Sequence, residues 1–262
     1  MSNSKMQIFV ISHSENDIKK IKSDEIYVPL FVGRHGKDNL GFCSDDSGDN
    51  ISIKNSTYCE LTGLYWMWKN CDADVVGLVH YRRWFAKNEF DARLEKEDIE
   101  EIFKNYDIII PKKSITSDSV YDEYAKSHFA KDLDLCGEII KEKYPNYLDS
   151  YNKFINNDQM YYCNLFIAPK EIISSYCVWL FSILDEIEKR VDISEYDDYQ
   201  KRVFGFLGER LFNIWLMNNN LKVKESYVKV SGLRLKLNTW SFTRKLIMNV
   251  YFPILNFFKK EK

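Results

Sequence analysis

The stretch that most restricts the fold is Val75 to Val79 (VVGLV), five residues without a polar side chain that stop abruptly at His80-Tyr81-Arg82-Arg83. An apolar run of strand length belongs in the middle of a sheet covered on both faces. Gln7 to Ser12 (QIFVIS), Tyr106 to Pro111 (YDIIIP) and Tyr161 to Ala168 (YYCNLFIA) read the same way, the last with Asn164 in its middle. Tyr27 to Gly33 is a weaker extended segment, and Lys222 to Val230 alternates like an edge strand. Helical spacing falls between these runs. Thr57 to Asn70 opens on a T-x-x-E capping box, Thr57 and Glu60, and carries Tyr58, Leu61, Tyr65 and Trp68 on one face. Residues 94–106 read as a helix, and Glu171 to Arg190 and Asp197 to Asn218 read as two long ones. Strands alternating with helices predict an α/β fold, a mostly parallel sheet flanked by helices.

The 262 residues suffice for one sizeable domain with an appendage. The net charge of −2 removes any bulk electrostatic case for nucleic acid. That charge is uneven: Lys222 to Lys262 holds ten basic and two acidic residues, and residues 1–221 hold 27 basic and 37 acidic. None of the six cysteines forms a C-x-x-C pair, and no Cys/His cluster has zinc spacing. The polar start lacks a signal peptide's apolar stretch, and no apolar run reaches 18 residues. The cysteines are therefore expected to be reduced and the chain cytoplasmic.

Chemistry concentrates in four places. His80, Arg82 and Arg83 sit where a strand ends, the edge at which open parallel sheets bind ligands. Two guanidiniums there can clamp phosphate oxygens in fork-like pairs, or can equally serve structural salt bridges. His13 ends the first strand in the same manner. Asp198, Arg202, Gly205 and Glu209 fall on one stripe of the helix read over 197–218; this is either an acid/base carboxylate beside a ligand or a solvated charged face. Gly205 and Gly208 weaken that helix by roughly 1 kcal/mol each, which makes sense if something packs close there. The Gly/Asp/Asn-rich loop 34–56 leads through Asn50 and Asn55 into a helix start, where free amides attract anions or a plain cap forms. Asn164 either binds a sugar hydroxyl or has backbone partners. Asp72-Ala73-Asp74 spells a metal-binding D-x-D, but it precedes Val75 to Val79 rather than following it, so no metal ligands are assigned.

The motifs DNIS (49–52), YCELTGLYWMWKN (58–70), GLVHYRRWF (77–85), NLFI (164–167), YCVWLF (176–181) and YQKRVFGFLGERL (199–211), with Lys54-Asn55, resemble a bacterial family of capsule and exopolysaccharide glycosyltransferases over roughly residues 7–228. The resemblance implies a GT-A-like fold. It also implies sugar transfer from a UDP-linked donor, galactofuranose in some relatives, to a lipopolysaccharide, capsular or other glycan acceptor, lipid-linked or oligosaccharide, with inversion. By position in such enzymes, His13, His80, Arg82, Arg83, Asn164, Arg202, Asn50 and Asn55 would serve the donor. Glu209 or Asp198 would be the base, with Asp158 a third candidate. A divalent ion, Mg or Mn, is allowed but not implied by a D-x-D at the expected place. The competing readings are a glycosyl-phosphate transferase and a non-catalytic carbohydrate-binding or assembly protein.

This divides the chain into a catalytic domain, 1–230, and a basic aromatic tail, 231–262. Leu246 to Phe258 is thirteen residues, too short to span a bilayer, and is flanked by Arg244-Lys245 and Lys259-Lys260. Its aromatics and cations predict a peripheral contact with an anionic membrane surface, on the inner face of the cell membrane. The other reading is a C-terminal helix docked on the body.

Overall fold

The strands are held in place by side chains that alternate between two apolar layers. In the computed structural model, which describes residues 4–88 and 90–230, β1 (Met6–Ser12) sends Phe9 and Ile11 into one layer and Met6, Ile8 and Val10 into the other. After the short α1 (Glu15–Ile18), β2 (Tyr27–Phe31) and β3 (Cys43–Ser44) add to the sheet. Two helices in succession, α2 (Asn55–Tyr58) and α3 (Leu61–Asn70), lead to β4 (Val75–His80). The chain doubles back into β5 (Arg83–Ala86), then forms α4 (Lys96–Ile102), β6 (Ile108–Pro111) and β7 (Ser114–Ile115). A helical block follows: α5 (Val120–Ser127), α6 (Ala130–Lys143) and α7 (Leu148–Ile155). Then come β8 (Gln159–Met160), β9 (Phe166–Pro169), α8 (Lys170–Arg190), α9 (Val203–Asn218) and β10 (Val223–Val230).

The buried apolar runs do become strands covered on both faces. β4 places Val76 and Leu78 in the layer under α3, α8 and α9, and Val75 and Val79 in the opposite one. The sheet is mixed, however, not mostly parallel. β1, β2, β3 and β4 run parallel, but β9 enters antiparallel between β4 and β6, and β5 is antiparallel to both β4 and β10. The order β3-β2-β1-β4-β5-β10-β6-β9, with β9 pairing back to β4, closes five strands into a ring. β10 is therefore not an edge strand. It lies between β5 and β6, and its half-exposed side chains produce the alternation that mimics an edge. The opposite edge, β3, is only two residues long, which limits pairing with another chain.

Four expected elements are interrupted or shortened. The helix read over 57–70 breaks at Cys59, whose φ of 52° and ψ of −130° no helix contains. Thr57 Oγ1 donates to the Lys54 carbonyl instead of capping, and Glu60 points elsewhere. The strand read over 161–168 begins only at Phe166, because Cys163 (φ 80°) and Asn164 (φ 47°) are left-handed. The helix read from Asp197 begins at Val203, after a 3-10 turn at Gln200–Arg202, so Asp198 is not on its stripe. The helix read over 94–106 is likewise confined to Lys96–Ile102. Residues 231–262, with the predicted membrane contact, lie outside the described residues.

Gly205 and Gly208 do mark a close approach. A Cβ at Gly205 would stand 3.1 Å from the Cys59 side chain, and one at Gly208 2.7 Å from Leu61 Cδ1. The glycine face of α9 is thus what the Cys59–Leu61 elbow rests on.

The candidate active site

The parallel strands β1, β2 and β4 all end at one edge, and a cleft of about 1560 Å³ opens there. Its walls include His13 after β1, Val32 after β2, His80 at the end of β4, and Arg82 and Arg83 in the β4–β5 turn. Asn55, Cys59, Glu60 and Arg202 close it on the helical side. Seven lysines and arginines line it against two acidic residues, Asp17 and Glu60, so the cleft attracts anions. Arg82 is stacked on Tyr81 (4.7 Å) and stands 3.6 Å from Asp17, which offsets part of its charge. Arg83 makes no ion pair among the described residues and faces the cleft exposed.

A second chamber of about 330 Å³ adjoins the cleft. The two share Cys59, Glu60, His80, Arg83 and Arg202. Beyond that seam the chamber is walled by His128, Tyr162, Tyr199 and Phe206, and by Glu123, Glu209 and Arg210. His128 stacks on Phe206 at 4.0 Å and on Tyr199 at 5.7 Å, giving the chamber an aromatic cluster on one side. Arg210, almost fully buried, bridges Glu123 (3.0 Å) and Glu209 (3.1 Å). Glu209 Oε1 also accepts from the Cys163 amide at 2.8 Å. Burial raises the Glu209 pKa against the pull of Arg210.

The seam is built by two strained turns meeting. Non-glycine residues in such backbone regions carry strain of order 1–3 kcal/mol each and gather at functional sites. Cys59 (φ 52°) delivers Glu60, and Cys163-Asn164 deliver the amide that donates from Nδ2 to Glu60 Oε1 at 2.8 Å. Burial raises the Glu60 pKa, with Asn164, Arg202 and Arg83 opposing. Arg202 Nε donates to Cys59 Sγ at 3.3 Å. The His80 pKa is held to about 4 by burial and by the charges of Arg83 and His13, so its ring is neutral at pH 7; its Nε2 is buried without a partner.

Behind the seam stands Asp45, fully buried. It accepts from the Gly33 amide (2.8 Å), the Arg34 amide (3.3 Å), Ser52 Oγ (2.5 Å) and Thr62 Oγ1 (2.7 Å). Thr62 in turn accepts from Asn55 Nδ2 (2.9 Å), which also donates to the Cys59 carbonyl (2.8 Å). One carboxylate therefore ties the end of β2, the loop 34–56 and the elbow before Glu60.

Of the residues singled out from sequence, the structure gathers His13, His80, Arg82, Arg83, Asn55 and Arg202 around the cleft, and Glu209 around the chamber. Asn164 reaches the site through Glu60. Asp198 is exposed and lines neither cavity. Asn50 lies outside both cavities too: its side chain donates to Gly48 O and accepts from the Ser52 amide, closing its own turn. Asp158 is an exposed loop residue whose carbonyl accepts from the Thr116 amide. Asp72 and Asp74 bind Lys5 at the opposite end of β4. Glu60, Glu123 and Arg210 were not legible as site residues; Glu60 reads in sequence as part of a cap.

Among the described residues no group of three His, Cys, Asp or Glu side chains is placed to hold a metal ion, and no helix is long and apolar enough to cross a membrane. A family model described as a domain of unknown function, DUF4422, matches residues 7–220. A solved structure described as the WbbM bifunctional glycosyltransferase in its apo form is similar to 88% of this chain, with a TM-score of 0.78 and 32% sequence identity. The match takes in 46% of that longer chain, so this protein spans about half its length. No curated protein matches significantly.

Proposed function

The chain belongs to the DUF4422 family, and from that premise we propose that it is a glycosyltransferase with a GT-A-like fold, using a nucleotide-sugar donor and a glycan acceptor. The observation that carries the reading is the arginine-lined cleft at the carboxyl ends of β1, β2 and β4, opening onto a second chamber that holds carboxylates. Likeness to a structure described as a glycosyltransferase, at 32% identity, supports it.

In this reading the donor's diphosphate lies against Arg82, Arg83 and Arg202, with His13, His80 and Asn55 shaping the pocket around it. Preorganised positive charge aimed at a departing phosphate stabilises the transition state without reorganisation. A Mg or Mn ion would need carboxylates beside the diphosphate. The cleft offers Asp17 and Glu60, far fewer than its cations, and the D-x-D sits at the wrong end of β4. The donor set does not fit such an ion, and no step is routed through one. The acceptor hydroxyl attacks the anomeric carbon opposite the leaving nucleotide, inverting it. Of the three carboxylates proposed as base from sequence, Glu209 faces a cavity and Asp198 and Asp158 do not.

The donor is proposed to be UDP-linked, with galactofuranose as the sugar, and the acceptor a capsular, exopolysaccharide or O-antigen glycan on a lipid carrier. The tail 231–262, with six net positive charges, would bring the enzyme to the inner membrane surface where such carriers sit. Calorimetric titration of the full chain with UDP tests the cleft, and a panel of nucleotide sugars tests the donor. Absence of UDP binding, or binding unaltered in the Arg82→Ala/Arg83→Ala variant, refutes the reading.

A further inference from the structure

Transfer must take place where donor and acceptor meet, and the shape of the site gives that place. The large cleft is cationic and the small chamber is aromatic with carboxylates, so they suit different ligands. Building on the glycosyltransferase reading, we infer that the small chamber receives a sugar ring of the acceptor and that Glu60, at the seam, is the base that takes the proton from its attacking hydroxyl.

Elimination carries the assignment. Five residues line both cavities: Cys59, Glu60, His80, Arg83 and Arg202. Two are guanidiniums, which stay charged. Burial pushes the Cys59 thiol up, so it is protonated, and the His80 ring, its pKa held to about 4 by burial and by Arg83 and His13, is too weak a base, with Nε2 buried and unpartnered. Only Glu60 is a carboxylate. Glu209 lines only the chamber and not the cleft, and both its oxygens are engaged, one by the Cys163 amide and one by Arg210. Strain points the same way. Cys59 on one side, and Cys163 with Asn164 on the other, hold left-handed backbone, and the bond that joins the two turns is Asn164 Nδ2 to Glu60 Oε1. The fold thus spends strain to hold this one carboxylate. The aromatic cluster of His128, Phe206 and Tyr199 offers apolar contact for a ring, and the Glu123–Arg210–Glu209 group offers hydrogen bonds to its hydroxyls.

The step balances within the site. The acceptor oxygen forms a bond to the anomeric carbon, and the bond from that carbon to the β-phosphate oxygen breaks. The leaving electron pair stays on that oxygen beside Arg83, and the proton passes to Glu60. The titratable and charged groups around Glu60 are Arg83, Arg202, His80, Glu209, Cys59, Cys163 and Tyr176.

The test compares the full-length wild type with Glu60→Gln and Glu209→Gln. The amide introduced by Glu60→Gln keeps an oxygen that accepts from Asn164, so the turn survives. UDP is titrated into each by calorimetry. Turnover is followed from pH 5 to 9 with a panel of UDP-hexoses that includes UDP-galactofuranose, using octyl β-galactoside as acceptor. Glu60→Gln is expected to bind UDP within threefold of wild type, to lose at least ~100-fold in kcat with little change in donor KM, and to lose the acidic limb of the pH profile. Phe206→Ala is expected to raise the acceptor KM several-fold and leave UDP affinity unchanged. Turnover in Glu60→Gln within threefold of wild type overturns the assignment alone, as does a 100-fold loss confined to Glu209→Gln. A wild type that binds UDP and turns over no donor refutes the transferase reading, and this inference with it.

Discussion

Replacing Asp45 should loosen the fold and the site together, and the size of the effect follows from its partners. Its carboxylate is fully buried and accepts four hydrogen bonds. In Asp45→Ala, Thr62 Oγ1 can turn to the Cys59 carbonyl, already 3.1 Å away, and the Arg34 amide gives up only a long bond of 3.3 Å. The Gly33 amide and Ser52 Oγ, at 2.8 and 2.5 Å, are left with no replacement acceptor. A hydrogen bond to a charged group contributes about 1.5–3 kcal/mol, so losing two costs roughly 3–6 kcal/mol. That is a large share of the ~5–15 kcal/mol that holds a domain together. Asp45→Asn keeps one good acceptor and should lose about half as much. Urea unfolding followed by tryptophan fluorescence measures both, and the Tm of the alanine variant should fall by about 10 °C. Because Asp45 also steadies Thr62 and Asn55, which hold the Cys59 carbonyl, kcat should fall in the folded fraction of Asp45→Asn while UDP affinity holds. An alanine variant within 1 kcal/mol of wild type, or one less destabilised than the asparagine variant, would refute this account.

Arg83→Ala should weaken UDP binding by about tenfold or more and Arg82→Ala by less, because Arg82 is already partly neutralised by Asp17; calorimetry in low salt ranks the two. The His80 pKa is depressed to about 4 in the folded state, so unfolding takes up a proton between about pH 6.5 and 4. Stability should therefore fall as pH drops through that window and level off below it, and His80→Gln should remove about one proton from the slope measured by urea unfolding. Arg210→Met leaves Glu123 and Glu209 facing each other with no cation between them, and should destabilise the chain by about 3 kcal/mol in the same assay near pH 7. Lowering the pH should recover part of that loss as one carboxylate takes a proton.

Elements whose own residues carry a local pattern were the legible ones. The helix read over 171–190 is observed as Lys170–Arg190, because its apolar stripe repeats over five turns. The run VVGLV is observed as the doubly covered β4, and the HYRR segment turns at its end. The pairing that makes β9 antiparallel, and that closes β10 into a ring, joins residues about 90–150 positions apart along the chain. No local pattern records that. The left-handed Asn164 had a weak signal, since asparagine tolerates that conformation better than most residues. Cys59 had none: nothing in T-Y-C-E distinguishes a strained elbow from a capping box, and only the glycines of α9, 146 and 149 positions beyond it, hint that something rests there.

Residue chemistry alone therefore settled that the run ending at Val79 is a buried strand and that two guanidiniums would stand at its end, because burial follows local hydrophobicity and a charge surfaces where an apolar run stops. Which carboxylate joins them was decided in three dimensions. Glu60 becomes a site residue, and Asp198 a surface one, only because two distant turns are forced into left-handed backbone and a single hydrogen bond locks them together, an energy balance between strain and packing that no segment carries by itself.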